Sequence, residues 1–462
     1  SNYQYYLLGK GPNRRSLNCA RFGQSVLKAA GVPVHIGFWK LPSKITRASA
    51  TDESIQQVYT SRDLTSTVRN SMPDPFKTQS AFVAGAQLSS HAGLLPLFEE
   101  AAAMRPGDRP MGWALGQALN AAGRHREAIA TFRRWSPPAT EAERLDLARA
   151  WRWAGYEDRA WPLLREATAP ESVWLREYRV ARDVAPYAFG SFEVSEDRDT
   201  LRGRSLSLGA GMQPVAQANI ELGGRRLDLD DDFGAADATT FEAAARLRLG
   251  EPDSPTGTWW PQLVLRSHRI GTWHPFTSTL RLKWVPADRW RIDAERTREL
   301  IETPRAFANR VHVDVTSIGA DWRRDERLAV AGAMAHLRFD DGTTRQRLSA
   351  RGEWAVLTRP RWTVGAEWSR FERTREGAPG SDARGYWNPD RYDEARLVSG
   401  IAWEMRPWEL QARAGLARSR EVDGAGNASS GAPHLWELAA AWDPAPAWRL
   451  RASAGGSGQA LG

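Results

Sequence analysis

The sequence predicts an α+β multidomain protein in which α-helical repeats precede an antiparallel transmembrane β-barrel of about 14–16 strands. Three observations predict this class: long strand-like runs late in the chain, tryptophans near the ends of those runs, and a helical repeat before them. The expected segments are a compositionally distinct N-terminal part over 1–80, helical repeats over 81–185 and the barrel over 186–462.

The strand-like runs are clearest between Arg327 and Glu421. They are about 11–15 residues long, and the turn sequences Asp340-Asp341-Gly342, Thr358-Arg359-Pro360 and Arg406-Pro407 separate them. Strands of soluble proteins are usually about 5–6 residues long, whereas strands that cross an outer membrane need about 9–11. Repeated long runs joined by short turns therefore favour an outer-membrane barrel.

Apolar and charged residues alternate along several of these runs, such as Thr279–Val285, Arg289–Arg296 and Trp408–Leu416. Because successive side chains of a strand point to opposite faces, each run has one apolar and one charged face. The charged positions are the candidates for the wall of a pore. These pore-lining candidates are Arg281, Arg291, Asp293, Glu295, Glu353, Glu367 and Arg413.

Tryptophan is concentrated in the same part of the chain, where 21 of the 22 residues follow position 80. Aromatic girdles at the two membrane interfaces account for tryptophans near strand ends. A soluble β-rich domain with tryptophan in its core is the alternative. The tryptophans near predicted strand ends are Trp259, Trp260, Trp284, Trp290, Trp322, Trp403, Trp408, Trp436, Trp442 and Trp448.

The number of strands is open from the sequence, because about 14 or 15 candidates follow Tyr187. Bacterial single-chain barrels use even numbers of strands. We therefore expect the barrel segment to lack its last strand, which would bring the total to about sixteen.

The first 80 residues differ from the rest in charge. They hold 11 Lys and Arg against 4 Asp and Glu, a net charge of +7, whereas the whole chain carries +8. Five of the six lysines lie there, and the composition changes near Gln79–Ala81. This predicts that two sequences of different origin are joined near residue 80, with few contacts between residues 1–70 and the barrel.

The N-terminal segment contains the chain's single cysteine, Cys19, which excludes an intrachain disulfide. The run Asn18-Cys19-Ala20-Arg21-Phe22, followed by Val26–Gly31, resembles the cysteine-bearing helix of permuted papain-like domains of bacterial toxins. The resemblance implies a cysteine amidase or peptidase with Cys19 as nucleophile, and His35 is the candidate base. The family's histidine normally precedes the cysteine, so a plain buried cysteine is the alternative.

A repeat with an offset of 32 occupies the helical segment. Its residues are Leu115-Gly116, Gly123, Ala128 and Phe132, then Leu147-Ala148, Gly155, Ala160 and Leu164, with Phe98 marking part of an earlier unit. The pattern resembles the tetratricopeptide repeat, which implies stacked helical hairpins that bind protein partners. A generic helical hairpin domain is the alternative.

One octapeptide, Gly385–Tyr392, precedes a predicted strand and reads Gly-Tyr-Trp-Asn-Pro-Asp-Arg-Tyr. Its residues Gly385, Tyr386, Trp387, Pro389 and Tyr392, together with the domain order, resemble the outer-membrane exporters of cellulose and poly-N-acetylglucosamine. The resemblance implies passive guidance of a polysaccharide chain through a barrel embedded in outer-membrane lipid, with periplasmic repeats that bind protein partners. It implies no enzyme, cofactor, metal or nucleic acid. A phage-adsorption protein of the same architecture is the alternative.

The net charge of the predicted barrel indicates the charge of the polymer that passes through it. Residues after position 80 have a net charge of about +1, since 7 of the 8 positive charges in excess lie before them. A pore for a strongly anionic polymer needs an unbalanced positive lining. The balance therefore predicts a neutral or weakly cationic polysaccharide.

Overall fold

The computed structural model describes residues 95–196, 201–252, 254, 256–325, 327–358, 360–375 and 384–458. The predicted segment 1–80, with its candidates Cys19 and His35, lies outside these residues, as does the predicted join.

Helices fill the described chain up to residue 184. None of those in the described ranges is long and apolar enough to cross a membrane. They are α1 (Leu95–Met104), α2 (Arg109–Ala121), α3 (His125–Arg134), α4 (Glu141–Trp153), α5 (Glu157–Leu164), α6 (Pro170–Leu175) and α7 (Ala181–Val184), with a π-helical turn over Arg176–Val180.

Side-chain caps and glycines mark the ends of two of these helices. Asp108 and Thr140 cap α2 and α4, because their side chains accept the N–H groups of Met111 and Glu143 at 3.1 and 3.2 Å. Gly123 and Gly155 follow these two helices with φ of 78° and 85°, the left-handed region in which glycine is favoured.

Residues that recur in the repeat form the core between the helices. Phe132 and Leu164 are fully buried, as are Ala128 and Ala160 at the helix contacts. A Cβ on Gly116 would lie 2.3 Å from the ring of Phe132, so α2 and α3 can pack this closely only with glycine there. The two pairs α2–α3 and α4–α5 are therefore equivalent in packing, and their assignment as tetratricopeptide units stays a prediction.

One large antiparallel sheet follows the helices. Each strand pairs with its neighbour in the chain, except that the short β14 and the longer β15 both pair with β13. The strands are β1 (Tyr187–Glu196), β2 (Arg202–Val215), β3 (Ala218–Asp231), β4 (Gly234–Leu247), β5 (Thr258–Arg269), β6 (Phe276–Ala287), β7 (Trp290–Leu300), β8 (His312–Arg323), β9 (Leu328–Phe339), β10 (Thr344–Thr358), β11 (Arg361–Arg375), β12 (Arg391–Met405), β13 (Trp408–Val422), β14 (Ala428–Gly431), β15 (His434–Ala445) and β16 (Trp448–Gly458).

The sheet is barrel-like, but the expectation that it closes on itself is not met. Within the described ranges β1 pairs only with β2, and β16 pairs only with β15. Of the 16 strands all except β14 belong to one up-and-down path, which leaves an odd number. The two edge strands therefore run in the same direction and cannot pair antiparallel with each other.

The register places large apolar side chains on one face of the sheet, which we call the apolar face. Leu397 and Leu416 lie opposite each other at the centre of β12 and β13 and are 72% and 74% exposed. The same face carries Leu263 opposite Leu280 and Ile318 opposite Met334. Apolar side chains exposed along so many strands fit a surface that contacts lipid.

Tryptophans border the apolar face at the strand ends nearest the helices. The rings of Trp259 and Trp284 stack at 4.7 Å, and those of Trp408 and Trp442 at 5.4 Å. This arrangement is that of an interfacial aromatic girdle. Trp260 is an exception, because it follows Trp259 directly and so points to the opposite, polar face, where Lys283 lies over its ring.

The connections between strands fall at two ends of the sheet. We call one the helical end, because β1 starts there directly after α7, and the other the far end. Five of the seven helical-end connections have only two residues. The helical-end connections are 216–217, 248–257, 288–289, 324–327, 359–360, 406–407 and 446–447, and those of the far end are 197–201, 232–233, 270–275, 301–311 with α8 (Pro304–Ala308), 340–343, 376–390 and 423–433.

The helices pack against the helical end through a buried arginine. Arg126, near the start of α3, donates from Nε to the carbonyl of Pro252 at 2.7 Å and from Nη1 to that of Val285 at 2.5 Å. Asp288, in the β6–β7 turn, accepts the main-chain N–H groups of Arg126 and Glu127 at 3.0 and 3.2 Å. A turn of the sheet therefore caps a helix of the repeat segment.

Three further hydrogen bonds hold the helices against the sheet. The Tyr156 hydroxyl, in the α4–α5 turn, donates to the carbonyl of Gly250 at 3.0 Å. On the other side, Arg179 and Arg182 donate to Asp443 of β15 at 2.8 and 2.6 Å. The helices are thus held at both sides of the helical end of the sheet.

Candidate functional site

The polar face of the sheet carries the candidate site. Arg281, Arg291, Asp293, Glu295 and Glu367 line a cavity of about 910 Å³ along β6 to β12. Glu353 and Arg413 line a neighbouring cavity of about 610 Å³. The structure therefore brings all seven pore-lining candidates to one face, and their role in passage of a polymer stays a prediction.

Pairs of opposite charge organise this face. Arg281 donates to Glu295 on the next strand at 2.6 Å, Arg351 reaches Asp321 at 2.8 Å, and Arg413 bonds Glu367. Each such pair is partly exposed and contributes at most about 1 kcal/mol, so the pairs do not hold the sheet together. They set the charge of the lining instead: the 910 Å³ cavity has five arginines and five carboxylates and is balanced.

Three aromatic residues meet at the far-end side of this cavity and form what we call the aromatic cluster: Phe371 of β11, Trp387 of the loop 376–390 and Tyr392 of β12. The ring centre of Trp387 lies 5.7 Å from that of Phe371 and 5.2 Å from that of Tyr392. Trp387 is 44% exposed, and its indole N–H donates to Glu421 at 3.1 Å. The indole is thus held by its polar edge and by edge contacts with two rings, and the exposed part of it can contact a ligand.

The loop that carries Trp387 is anchored by its neighbour Tyr386. The ring of Tyr386 stacks on Phe339 at 4.3 Å, and its hydroxyl donates to Asp341 in the β9–β10 turn. Burial, together with this carboxylate, raises the pKa of Tyr386 to about 12. The phenol therefore stays protonated and keeps donating throughout the physiological range.

Glycine and arginine complete the anchor. Gly385 has φ of 92°, and a Cβ there would lie 2.7 Å from the main-chain nitrogen of Ala306 in α8. The buried Arg345 lies 4.8 Å from the Phe339 ring centre and donates to Asn388 Oδ1 at 2.6 Å. Gly385, Tyr386 and Trp387 thus have distinct structural roles, Tyr392 joins the aromatic cluster, and Pro389 is buried in the same loop.

Sequence reasoning missed Phe371 and Arg345. Phe371 has the same strand parity as the candidate Glu367, so alternation could have found it. Arg345 has no such signal, because β10 contains several arginines and its partner loop lies 43 residues away. In the described part of the chain, no group of three or more His, Cys, Asp and Glu residues is arranged to hold a metal ion.

Fold and site together define a membrane β-sheet protein whose polar face could form a lumen. Residues 258–409 match the family model described as the PgaA membrane beta barrel domain. The match runs from the first strand with paired tryptophans to the start of β13 and includes the octapeptide loop. The resemblance to exopolysaccharide export porins is therefore confirmed for the barrel region, and it supports an outer-membrane location.

The solved structures that match this chain are distant from it. A bacterial polysaccharide outer membrane secretin is 17% identical with a TM-score of 0.41 and covers 58% of this chain and 93% of its own. The FrpB iron transporter (F3-3 variant) of Neisseria meningitidis has 10% identity and a TM-score of 0.35, with coverage of 58% and 54%. The siderophore receptor PirA of Pseudomonas aeruginosa is 12% identical with a TM-score of 0.30, and the match covers 59% of this chain and 63% of PirA. A comparison with curated proteins finds no match.

Proposed function

We propose that this chain guides an exopolysaccharide across the outer membrane, entering at the helical end and leaving at the far end. The observation that carries the proposal is the match of residues 258–409 to the PgaA membrane beta barrel domain, which agrees with the resemblance of Gly385–Tyr392 to exopolysaccharide exporters. The faces of the sheet alone would fit any membrane barrel, so the family match is what selects the polymer.

The two faces of the sheet support the membrane part of the proposal. Leu397 on the apolar face and Glu367 on the polar face lie on neighbouring strands within the same span. Lipid on one side and a water-filled lumen on the other account for this separation, since a charged side chain facing lipid is unfavourable by about 2–4 kcal/mol at mid-membrane.

The polar lining suits a sugar chain that has to slide. Arginines that are already paired with carboxylates can exchange one hydrogen-bond partner for another at small cost. The aromatic cluster offers the exposed ring of Trp387 as a stacking surface near the exit. No covalent step is required of any of these residues.

We also propose that the helices face the periplasm and act as a scaffold for protein partners. The short connections at the helical end support this orientation, because outer-membrane barrels have short periplasmic turns and longer outer loops. The repeated helical pairs would then present their groove to a periplasmic partner.

A further strand between β1 and β16 belongs to the same proposal. The two edges run in the same direction, so one additional strand would pair antiparallel with both and bring the long strands to an even number. This keeps the sequence expectation of about sixteen barrel strands.

Single-channel recording tests the proposal. The purified protein is placed in a planar bilayer, and oligosaccharides are added at the helical end. We expect brief current blocks, which become several-fold shorter in Phe371→Ala, because that variant removes one ring of the aromatic cluster.

The matched control is Trp368→Ala on the same strand, since Trp368 lies on the apolar face. This variant should keep the wild-type block times. Blocks that Phe371→Ala leaves unchanged, or an absence of conductance in the wild type, would reject the proposal.

A further inference from the structure

A third cavity, of about 630 Å³, lies at the helical end of the polar face. The α2–α3 turn around His125 and the α4–α5 turn around Gly155 form one side of it, and inner positions of the sheet form the other. Arg281, Arg291 and Arg351 line both this cavity and the balanced one of 910 Å³. The two spaces are therefore continuous, and we call the one at the helical end the vestibule.

The vestibule differs from the middle of the lumen in charge. Nine arginine and lysine side chains and four carboxylates line it. Two of the arginines, Arg248 and Arg281, bond Asp158 and Glu295 just outside this lining, which leaves an excess of three positive charges. The adjoining cavity has five of each sign. Low-dielectric walls focus such an excess, so anions are attracted to this entrance more strongly than to the lumen behind it.

Four of these cations have no ion-pair partner within the described ranges: Arg246, Lys283, Arg289 and Arg323. The strand neighbours of Arg246 are the uncharged Asn219 and Gln262. By contrast, Arg281 and Arg291 bond carboxylates. These four side chains are therefore not held in ion pairs of the wall, and Asp293, the strand neighbour of Lys283, acts on its ammonium without forming one.

Aromatic rings stand beside these cations. The Lys283 Nζ lies 4.6 Å from the centre of the Trp260 ring, and Trp153 is 49% exposed at the cavity wall. The His125 ring is 5.2 Å from that of Trp153. Burial, with the nearby Arg323, lowers the pKa of His125 to about 4, so the imidazole is neutral at pH 7 and can bond a hydroxyl.

We propose that the vestibule binds anionic sugar units, of the uronate kind, at the entrance of the export path. An indole face stacks on the sugar ring, and Arg246, Lys283 and Arg323 receive its carboxylate. The inference rests on the proposed function and names the substrate class for it. It departs from the neutral or weakly cationic polymer that net charge predicts, because net charge averages the basic entrance with the balanced lumen.

An acidic lipid headgroup is a poorer candidate for this site. The vestibule opens on the polar face, and the side chains that contact lipid are on the apolar face of the same strands, such as Leu280 beside Arg281. A ligand of the vestibule must therefore come through water from the helical end.

Isothermal titration calorimetry on the full chain in detergent tests the proposal without requiring transport. The probes are hexamers of galacturonate, glucose and glucosamine. We expect the galacturonate hexamer to bind, with affinity that falls as salt rises, and the other two to bind at least tenfold more weakly. Arg246→Gln, Lys283→Gln and Arg323→Gln should each weaken binding by about fivefold.

Arg226→Gln is the matched control, because Arg226 is exposed on the apolar face and is paired with Asp228. It should bind like the wild type. Tighter binding of the glucosamine hexamer, or variants that all keep wild-type affinity, would overturn the vestibule assignment. Binding without passage of polymer would instead refute the proposed function alone, and passage of neutral polymer without uronate binding would refute the vestibule alone.

Discussion

Arg126 provides the sharpest test of how the helices are fixed to the sheet. Its side chain is only 8% exposed, and its guanidinium donates to the carbonyls of Pro252 and Val285. Arg126→Ala removes this donor from both carbonyls, and the bond to Pro252 is fully buried. We therefore expect the helices to detach from the helical end while the sheet keeps its structure.

The size of the effect follows from these two bonds. A hydrogen bond to a charged group contributes about 1.5–3 kcal/mol, and a buried carbonyl left without its donor costs about 1–3 kcal/mol. The main-chain bonds from α3 to Asp288 and the contacts of Tyr156 remain in the variant. We expect local opening of the helical segment to become favoured by about 3–4 kcal/mol, which is at least roughly a hundredfold in population.

Hydrogen exchange followed by mass spectrometry measures this opening. Peptides from 109–164 should lose protection by at least about a hundredfold in Arg126→Ala, and peptides from β10 to β13 should not change. Arg134→Ala is the matched control, since Arg134 lies on the same helix and is exposed. Equal protection in the two variants would refute the assignment of Arg126 as the docking residue.

Three further predictions concern the lipid face, the anchored loop and pH. Leu397→Arg should destabilise the sheet by about 2–4 kcal/mol in urea unfolding from vesicles. Val398 points to the opposite face, so Val398→Arg should destabilise it by less than about 1 kcal/mol. Equal losses of stability in the two variants would contradict the assigned faces. Tyr386→Phe should make residues 384–390 several-fold more sensitive to protease, with unchanged sensitivity counting against the anchor. Burial raises the pKa of Asp288 to about 6, so docking of the helices gains stability as pH falls through 6. The pKa of His125 is lowered to about 4, so His125 makes docking of the helices less stable as pH falls below about 6.5. Hydrogen exchange from pH 7 to 4 should therefore show that the helices lose protection on acidification in Asp288→Asn and gain protection in His125→Gln. The same dependence of protection on pH in both variants would refute these two assignments.

Much of the sheet could be predicted because its signals are local. The turns Asp340-Asp341-Gly342 and Arg406-Pro407 lie between strands as expected, and alternation places the seven lining candidates on one face. The short β14 escaped prediction, since a four-residue hairpin arm within a loop has no run long enough to show a period.

The missed features depend on contacts between distant residues. Arg126 meets Val285, 159 residues later, and no local pattern marks it among the arginines of the helices. The excess charge of the vestibule is also not evident from the sequence, because its cations come from a helix, turns and strands between positions 126 and 351. Net charge over the whole segment averages these groups with the balanced pairs behind them.

Trp260 shows a second way in which composition alone misplaces a side chain. A pair of neighbouring tryptophans at a strand end suggests two girdle residues, but alternation allows only one of them to face lipid. Trp259 stacks on Trp284, and Trp260 instead lies under Lys283 at the vestibule.

Passage of a polymer through the protein tests the central claim most directly. Liposomes that contain the purified full chain are exposed to a fluorescent galacturonate oligomer, and the labelled sugar inside is measured against protein-free liposomes. We predict uptake that depends on the protein and that falls several-fold in Phe371→Ala but not in Trp368→Ala. Binding of the oligomer to the outside with no label inside would contradict a conduit and would favour a surface receptor of the same architecture.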